Sequence, residues 1–391
     1  MTKEEIEARI KFLKSKIAEN SKLIDSKDIM QYALKILINS GYGAISSSKN
    51  PIGDTDLANA ITTCGSTSIK QVNVFAREFV KMKNPNISDK DLESVVIFND
   101  TDSCCIRLDK CGVKLCEGDV VTDEGYKLVQ ECDDYINTSF ENWFKEVTGS
   151  DNCTLYFKRE KICDAGIFLK KKDSDDEAKK NYILHILDNE GVKKPSFKYT
   201  GVKFARSTLS GILKDAGKKV AEHMILTQDK SSTENVLREL YNKFEKMDLN
   251  DIVTIQRCNN INKHSSQFNY KETQKFGRLT YPKGTPGHVK AAMNFNIVLE
   301  KLGLNKYEKV KSGDMAKIIY IHPKNKFAID RIGFLDEWPK EFDEYFQIDY
   351  ATTFVKTVFD EVRRLYNSVD WSPFHPHQGF ECSVWDLFEM E

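Results

Sequence analysis

Two arrangements of polar side chains in this sequence could do chemistry. In Asp100-Thr101-Asp102, two carboxylates stand two residues apart between the apolar runs VVIF and CCIRL. Carboxylate oxygens suit hard divalent cations, and Mg2+ needs only one or two of them beside substrate phosphates. An Asp-rich turn is common on any surface. Held between strands this apolar, however, unpaired carboxylates would repel each other without a cation. The second arrangement is Lys35, Asn39 and Tyr42, spaced i, i+4 and i+7 on one helical face. A cation, an amide and a ring in a row suit a nucleoside triphosphate. The lysine neutralises phosphate charge, the amide hydrogen-bonds, and the ring packs on sugar or base. Taken singly, Lys and Asn on a helix are usually solvated and Tyr is usually core.

Three further groups carry less. Gly53-Asp54-Thr55-Asp56 repeats the DTD pattern, but its Gly/Pro-rich flank and the helical LANAITT after it predict a loop and helix N-cap rather than a metal hairpin. Lys179, Lys180 and Tyr182 open a strand after the basic run Leu169 to Lys172 and could track a phosphate backbone. Glu160, inside the basic FKREK, is either a salt-bridge partner for its neighbours or a third acid near the metal; the sequence by itself favours the former.

The elements that must position these groups follow from periodicity. Ile6, Ile10, Leu13 and Ile17 form one apolar stripe, predicting a helix over residues 3 to 19 that breaks at the polar stretch Asn20 to Lys27. A second helix starts near Asp25 or Ser26 and runs through Ile29, Ala33, Ile36 and Leu37 to the glycines at 41 and 43, so the pair is expected to form a helical hairpin. Another helix is expected over about 55 to 82, stopped by Asn84-Pro85. Val95 to Phe98 and Cys104 to Leu108 then read as a strand pair with both aspartates in its turn. Residues 124 to 148 read as helix, and Thr154 to Phe157, Ala165 to Leu169 and Tyr182 to Leu187 as strands. From about 204 the pattern is mainly helical, with a mixed, Gly/Pro-punctuated stretch at 278 to 340.

Charge totals hide segregation. Across 391 residues, 58 Lys+Arg balance 59 Asp+Glu, a net charge of -1. Yet residues 91 to 151 hold 15 acidic and 5 basic side chains, whereas 158 to 219 hold 16 basic and 9 acidic, and 271 to 327 hold 12 basic and 4 acidic. Such blocks are often solvated surface, but two basic blocks could also bind a polyanion while the acidic ones face solvent or hold metal. At 40% hydrophobic the chain can bury a core, which excludes wholesale disorder. No apolar run is long enough to cross a bilayer, and the charged start MTKEEIEARIKFLKSK is no signal peptide. Ten cysteines without a CxxC pair read as reduced thiols of a cytosolic protein.

The motifs occur in an order that resembles the family B DNA polymerases. KILINSGYG at 35 to 43 resembles motif B, KxxxNSxYG, and VVIFNDTDS at 95 to 103 resembles motif C. KKNY at 179 to 182 is similar to the primer-gripping KKxY motif, KYTGVKFARS at 198 to 207 to the entry into the thumb, and ANAITTCGSTSI to a helix between motifs B and C in T-even phage polymerases. The resemblance implies an α+β chain with the right-hand polymerase fold: an incomplete palm sheet, a helical fingers hairpin and a mainly helical thumb. Fingers would span 1–47, the palm remainder 48–203, and the thumb with its tail 204–391.

Carried over by position, the resemblance makes Lys35 and Asn39 ligands of the incoming dNTP and places Tyr42 against the nascent base pair. Asp102 would be the main ligand of two Mg2+ ions, for which Mn2+ can substitute, with Asp100 beside it. REKI at 159 to 162 is similar to an acidic palm segment, which puts Glu160 near the metal. Arg9 lies where the family places a triphosphate-binding arginine; the lysine expected one turn later is Leu13, and Lys14 or Lys11 can substitute. Lys179, Lys180 and Tyr182 would hold primer-template DNA, with Asn181 standing where phage relatives often have arginine. In SVWDLFEME, Trp385, Leu387 and Phe388 would anchor a sliding clamp, the competing expectation being a tail folded back on the thumb.

The family also uses a motif A aspartate in DxxSLYP and a 3'-5' exonuclease, neither of which occurs in this sequence. The chain is therefore expected to be the C-terminal half of a split polymerase, inactive without a partner carrying both, in the cytoplasm of a phage-infected bacterium. A non-catalytic DNA-binding or clamp-tethering subunit is the alternative. A metal-dependent enzyme acting on a small phosphorylated substrate is a third, which the long basic thumb disfavours.

Overall fold

A computed structural model describes residues 3–100, 102–171, 177–265, 267 and 280–372. They form mixed α+β structure in two compact units. Of the described residues, those within 1–115 and 123–158 make up one unit and those within 116–122 and 159–372 the other.

In the first unit, α1 is a single helix, Lys3–Ser46. The expected hairpin is not formed. Asn20 to Lys27 contains neither proline nor glycine, and Asn, Ser and Asp inside a helix cost only a few tenths of a kcal/mol each by intrinsic propensity, about 0.7 at most. The predicted break is thus absorbed, and Ile6, Ile10, Leu13 and Ile17 remain exposed.

Asp54 then caps α2 (Thr55–Lys83), its carboxylate accepting the N–H groups of Asp56 and Leu57 at 3.0 and 2.9 Å. The second DTD pattern is therefore a cap, as its flanks indicate. After the short α3 (Asp89–Glu93), β1 (Val96–Asp100) and β2 (Ser103–Ile106) pair antiparallel. The unit's core forms where Val72, Phe75, Ala76, Phe79 and Val80 of α2 cluster with Leu128, Cys132, Ile136 and Phe140 of α4 (Asp123–Thr148). Thr154 to Phe157 is not a strand. The Asn137 side-chain amide takes both backbone groups of Phe157, accepting its N–H at 2.9 Å and donating to its carbonyl at 2.8 Å, so this residue needs no strand partner.

The second unit contains a short ribbon, β3 (Cys116–Glu117) with β4 (Val120–Val121), and a sheet in which β6 (Glu177–Asn189) lies between β5 (Lys161–Lys170) and β7 (Ser196–Thr200), all antiparallel. Ile167, Leu169 and Ile183 join a core with Leu213, Val220 and Met224 of α5 (Gly211–Thr227) and Leu237, Tyr241 and Phe244 of α6 (Lys230–Phe244).

The region after 204 is less helical than its pattern suggests. After α7 (Leu249–Ile252), β8 (Thr254–Arg257), β9 (Met315–Tyr320) and β10 (Arg331–Phe334) make a second antiparallel sheet in the order β10-β9-β8. Helix Gly287–Leu302 packs on it. The final helical run comprises Tyr350–Phe354, a widened π turn at Val355–Phe359, and Asp360–Ser368.

The nine described cysteines are free thiols. Among the described residues no helix is long and apolar enough to cross a membrane.

Candidate functional site

The strand pair places Asp100 opposite Ser103, with Asp102 in a turn between the strands. Only Asp102 of the two aspartates therefore lies in the turn; Asp100 ends β1. The Asp102 N–H donates to the Asp100 carbonyl at 2.7 Å, and the Ser103 hydroxyl reaches the same oxygen at 3.2 Å. These bonds close the tip and bring both carboxylate-bearing residues to one end of the hairpin. The expected burial is not found: Asp102 is exposed, and Asp100 with Val96, Ile97 and Phe98 is half-buried. What favours a cation here is thus the placement of two aspartates at one end of the strand pair rather than desolvation. Among the described residues no group of three or more His, Cys, Asp or Glu could hold a metal. Two carboxylates fit a Mg2+ ion that takes its other ligands from water and phosphate, so the donor set suits part of a two-metal centre.

Lys35, Asn39 and Tyr42 project from α1 on successive turns, Lys35 and Asn39 exposed and Tyr42 40% exposed. The spacing legible in the sequence is realised. Arg9 is on the same helix with its guanidinium 5.6 Å from the Phe12 ring centre. In a continuous helix the 26 residues from Arg9 to Lys35 span roughly 39 Å at 1.5 Å each. The structure therefore does not bring Arg9 to the Lys35 face.

Glu160 belongs to the second unit, and its carboxylate accepts the Lys161 ammonium at 2.6 Å. This is the neighbour ion pair favoured by the basic FKREK context. The adjacent Arg159 pairs with the fully buried Asp188, which also accepts the Gly191 N–H at 2.8 Å. Asp188 was not legible as a partner, since strand pairing across twenty-nine residues creates the contact.

Lys179 and Lys180 are exposed on β6, whereas Tyr182 is only 7% exposed. The tyrosine pairs with Thr200 across β6 and β7, stands 5.9 Å from the Phe168 ring and has the Lys198 ammonium 5.9 Å from its own ring centre. Tyr182 thus anchors a lysine platform. Lys180 adopts the left-handed region, φ 58°, as does Gly201, φ +68°. The Asn181 amide donates to the Lys179 carbonyl at 2.8 Å, and Arg206 to the Gly201 carbonyl at 3.2 Å. KYTGVKFARS therefore adds Lys198, Gly201 and Arg206 to the KKNY corner. The basic residues were visible in the sequence, but only the β6–β7 register shows which of them meet. Lys170, from the basic run before this strand, is paired with Asp370 at 2.7 Å. Trp385, Leu387 and Phe388 lie outside the described residues.

Residues 3–148 match the family model for DNA polymerase family B. In an alignment of 388 residues the chain is 23% identical to the DNA-directed DNA polymerase of Enterobacteria phage T4, covering 91% of this chain and 40% of the phage protein. It is also 23% identical over 301 residues to the DNA-directed DNA polymerase of Escherichia phage RB69, covering 75% of this chain and 31% of that protein. The chain thus spans well under half the length of these relatives. The chain is thus similar to the family B DNA polymerases of these two phages, with the family model matching its first part, residues 3–148.

Proposed function

We propose that this chain is the C-terminal part of a DNA-directed DNA polymerase, with fingers at 1–47, the palm remainder at 48–203 and the thumb at 204–391. The observation that carries this reading is the DTDS hairpin tip, where Asp100 ends β1 opposite Ser103 and Asp102 follows it, so that both aspartates fall at one end of the strand pair. Asp102, with Asp100, would hold Mg2+, which supplies charge neutralisation at the triphosphate and activation of the primer 3'-hydroxyl. Lys35 and Asn39 bind the dNTP phosphates, and Tyr42 lines the nascent pair. Lys179 and Lys180, supported by Tyr182, contact the primer-template backbone. Glu160 is the candidate third acid of the palm segment, and its carboxylate is paired with Lys161. Arg9 is the candidate triphosphate-binding arginine at the other end of the continuous α1 from Lys35.

Both cations of a two-metal centre need carboxylates beyond Asp100 and Asp102. These come from a motif-A-bearing segment, which also brings the exonuclease, and the sliding clamp is engaged through Trp385, Leu387 and Phe388. The setting is the cytoplasm of a phage-infected bacterium. The primer grip is tested by fluorescence anisotropy with a primer-template duplex over a range of salt. Lys180→Ala should weaken binding and reduce the salt slope by about one unit, the signature of one lost phosphate contact. An unchanged slope removes Lys180 from the interface. A non-catalytic tethering subunit would bind duplex equally well but would tolerate Asp102→Ala in every assay.

A further inference from the structure

Glu361 is an acid where the sequence pattern of the last helix is apolar: Phe354, Val358, Val362 and Leu365 are buried, and Glu361, 4% exposed, is buried with them. Both carboxylate oxygens are used. One accepts the backbone N–H of Lys203 at 2.8 Å, and the other accepts the Arg364 guanidinium at 2.9 Å. The Lys203 ammonium in turn donates to the Lys356 carbonyl within the π turn Val355–Phe359. Burial holds this ammonium below its ordinary range, opposed by the Asp360 and Glu361 carboxylates. A buried ionic group of this kind is a weak source of net stability, since apolar replacements of similar volume are often neutral or stabilising. Its effect is to fix the position of what it bonds.

Lys203 follows two residues after Gly201, whose backbone lies against the Lys180 carbonyl. The turn leaving β7 is consequently held from both sides, by Lys180 at Gly201 and by Glu361 at Lys203. The same helix fixes the sheet a second time, because the Lys170 N–H donates to the Ser368 hydroxyl at 2.9 Å. We propose that Glu361 is a positioning residue for the Lys180–Gly201 corner, acting through the Lys203 N–H to hold the KKNY lysines in the register that meets a nucleic-acid backbone. This rests on the reading of Lys179 and Lys180 as duplex contacts.

Two variants of the full chain separate positioning from packing. Glu361→Gln keeps an acceptor for Lys203, and Glu361→Met keeps the volume but removes it. Binding of a primer-template duplex is followed by anisotropy, and amide hydrogen exchange is followed over 179–183 and 200–206. Glu361→Met should lose exchange protection at Lys203 and bind duplex about tenfold more weakly, while Glu361→Gln stays within about threefold of the parent. In a Lys180→Ala background the Glu361→Met loss should nearly vanish, because the two act through one corner. Equal behaviour of Met and Gln, or full additivity with Lys180→Ala, overturns the assignment. Rapid exchange of the Lys203 amide in the parent protein overturns it without any variant. If the parent binds no duplex, the DNA reading of KKNY falls, and the exchange data alone decide whether Glu361 positions the corner.

Discussion

A Cβ added to Gly201 would lie 2.0 Å from the carbonyl oxygen of Lys180, so the end of β7 and the KKNY segment meet backbone to backbone. Both residues occupy left-handed conformations, at φ +68° and 58°. Lysine pays about 1 kcal/mol or more there, glycine almost nothing. The corner is thus a strained turn that presents lysines, and a chain could relax it by placing glycine at 180 were the side chain not wanted.

This strain gives opposite expectations for two substitutions. Gly201→Ala should destabilise the protein by more than about 2 kcal/mol in urea unfolding, because left-handed strain and a backbone clash add. Lys180→Gly should leave stability unchanged or raise it by up to about 1 kcal/mol, yet weaken duplex binding. A Lys180→Gly protein that binds duplex at full strength would show that the strain serves no contact.

Gly217 tests packing against propensity. A Cβ there would come within 2.1 Å of the Phe204 ring, which is fully buried under α5. Alanine ordinarily stabilises a helix by about 1 kcal/mol over glycine. Overpacking costs about 1–3 kcal/mol, so Gly217→Ala should lower the melting temperature despite its better propensity.

Lys35 stands exposed on α1. Lys35→Ala should change unfolding free energy by no more than about 0.5 kcal/mol. Titration with a fluorescent dNTP should nonetheless show binding weakened about tenfold, with the difference shrinking as salt is raised.

Burial pushes the Cys104 and Cys111 thiols up to about 11 and the Cys132 thiol to about 12. Between the unfolded thiol value of 9.0 and these values the folded chain binds more protons than the unfolded one. Stability from these groups is therefore complete below pH 9 and falls as pH rises through the window. Alkylation at pH 8 should label the exposed Cys64 rapidly, the half-buried Cys104 more slowly and the buried Cys111 and Cys132 only on unfolding, read by peptide mass mapping.

The site was more legible than the architecture around it. Apolar runs flanking Asp100 and Asp102 announce paired strands, and the i, i+4, i+7 spacing of Lys35, Asn39 and Tyr42 survives in α1 because it depends only on helical geometry. The burial of the aspartates did not follow, since a hairpin tip projects beyond whatever covers its strands. The break expected at Asn20 to Lys27 also did not follow. Polar residues interrupt an apolar stripe without interrupting backbone hydrogen bonds, and only proline or a competing cap would do so. Thr154 to Phe157 is not a strand, and at its end a side chain twenty positions earlier takes both backbone groups of Phe157, of which Asn137 gives no local sign. The β6–β7 register, which joins KKNY to KYTG, is set by pairing across an intervening loop and becomes visible only in the fold.

In the proposed function the Asp100–Asp102 hairpin is half of a metal-dependent polymerising centre. Primer extension tests it most directly, using this chain mixed with a motif-A-bearing family B segment, a primer-template duplex, dNTPs and Mg2+. The expected result is template-directed extension by the mixture, abolished by Asp102→Ala while duplex affinity is retained. Extension that survives Asp102→Ala, or that this chain performs without the motif A segment, would contradict the claim.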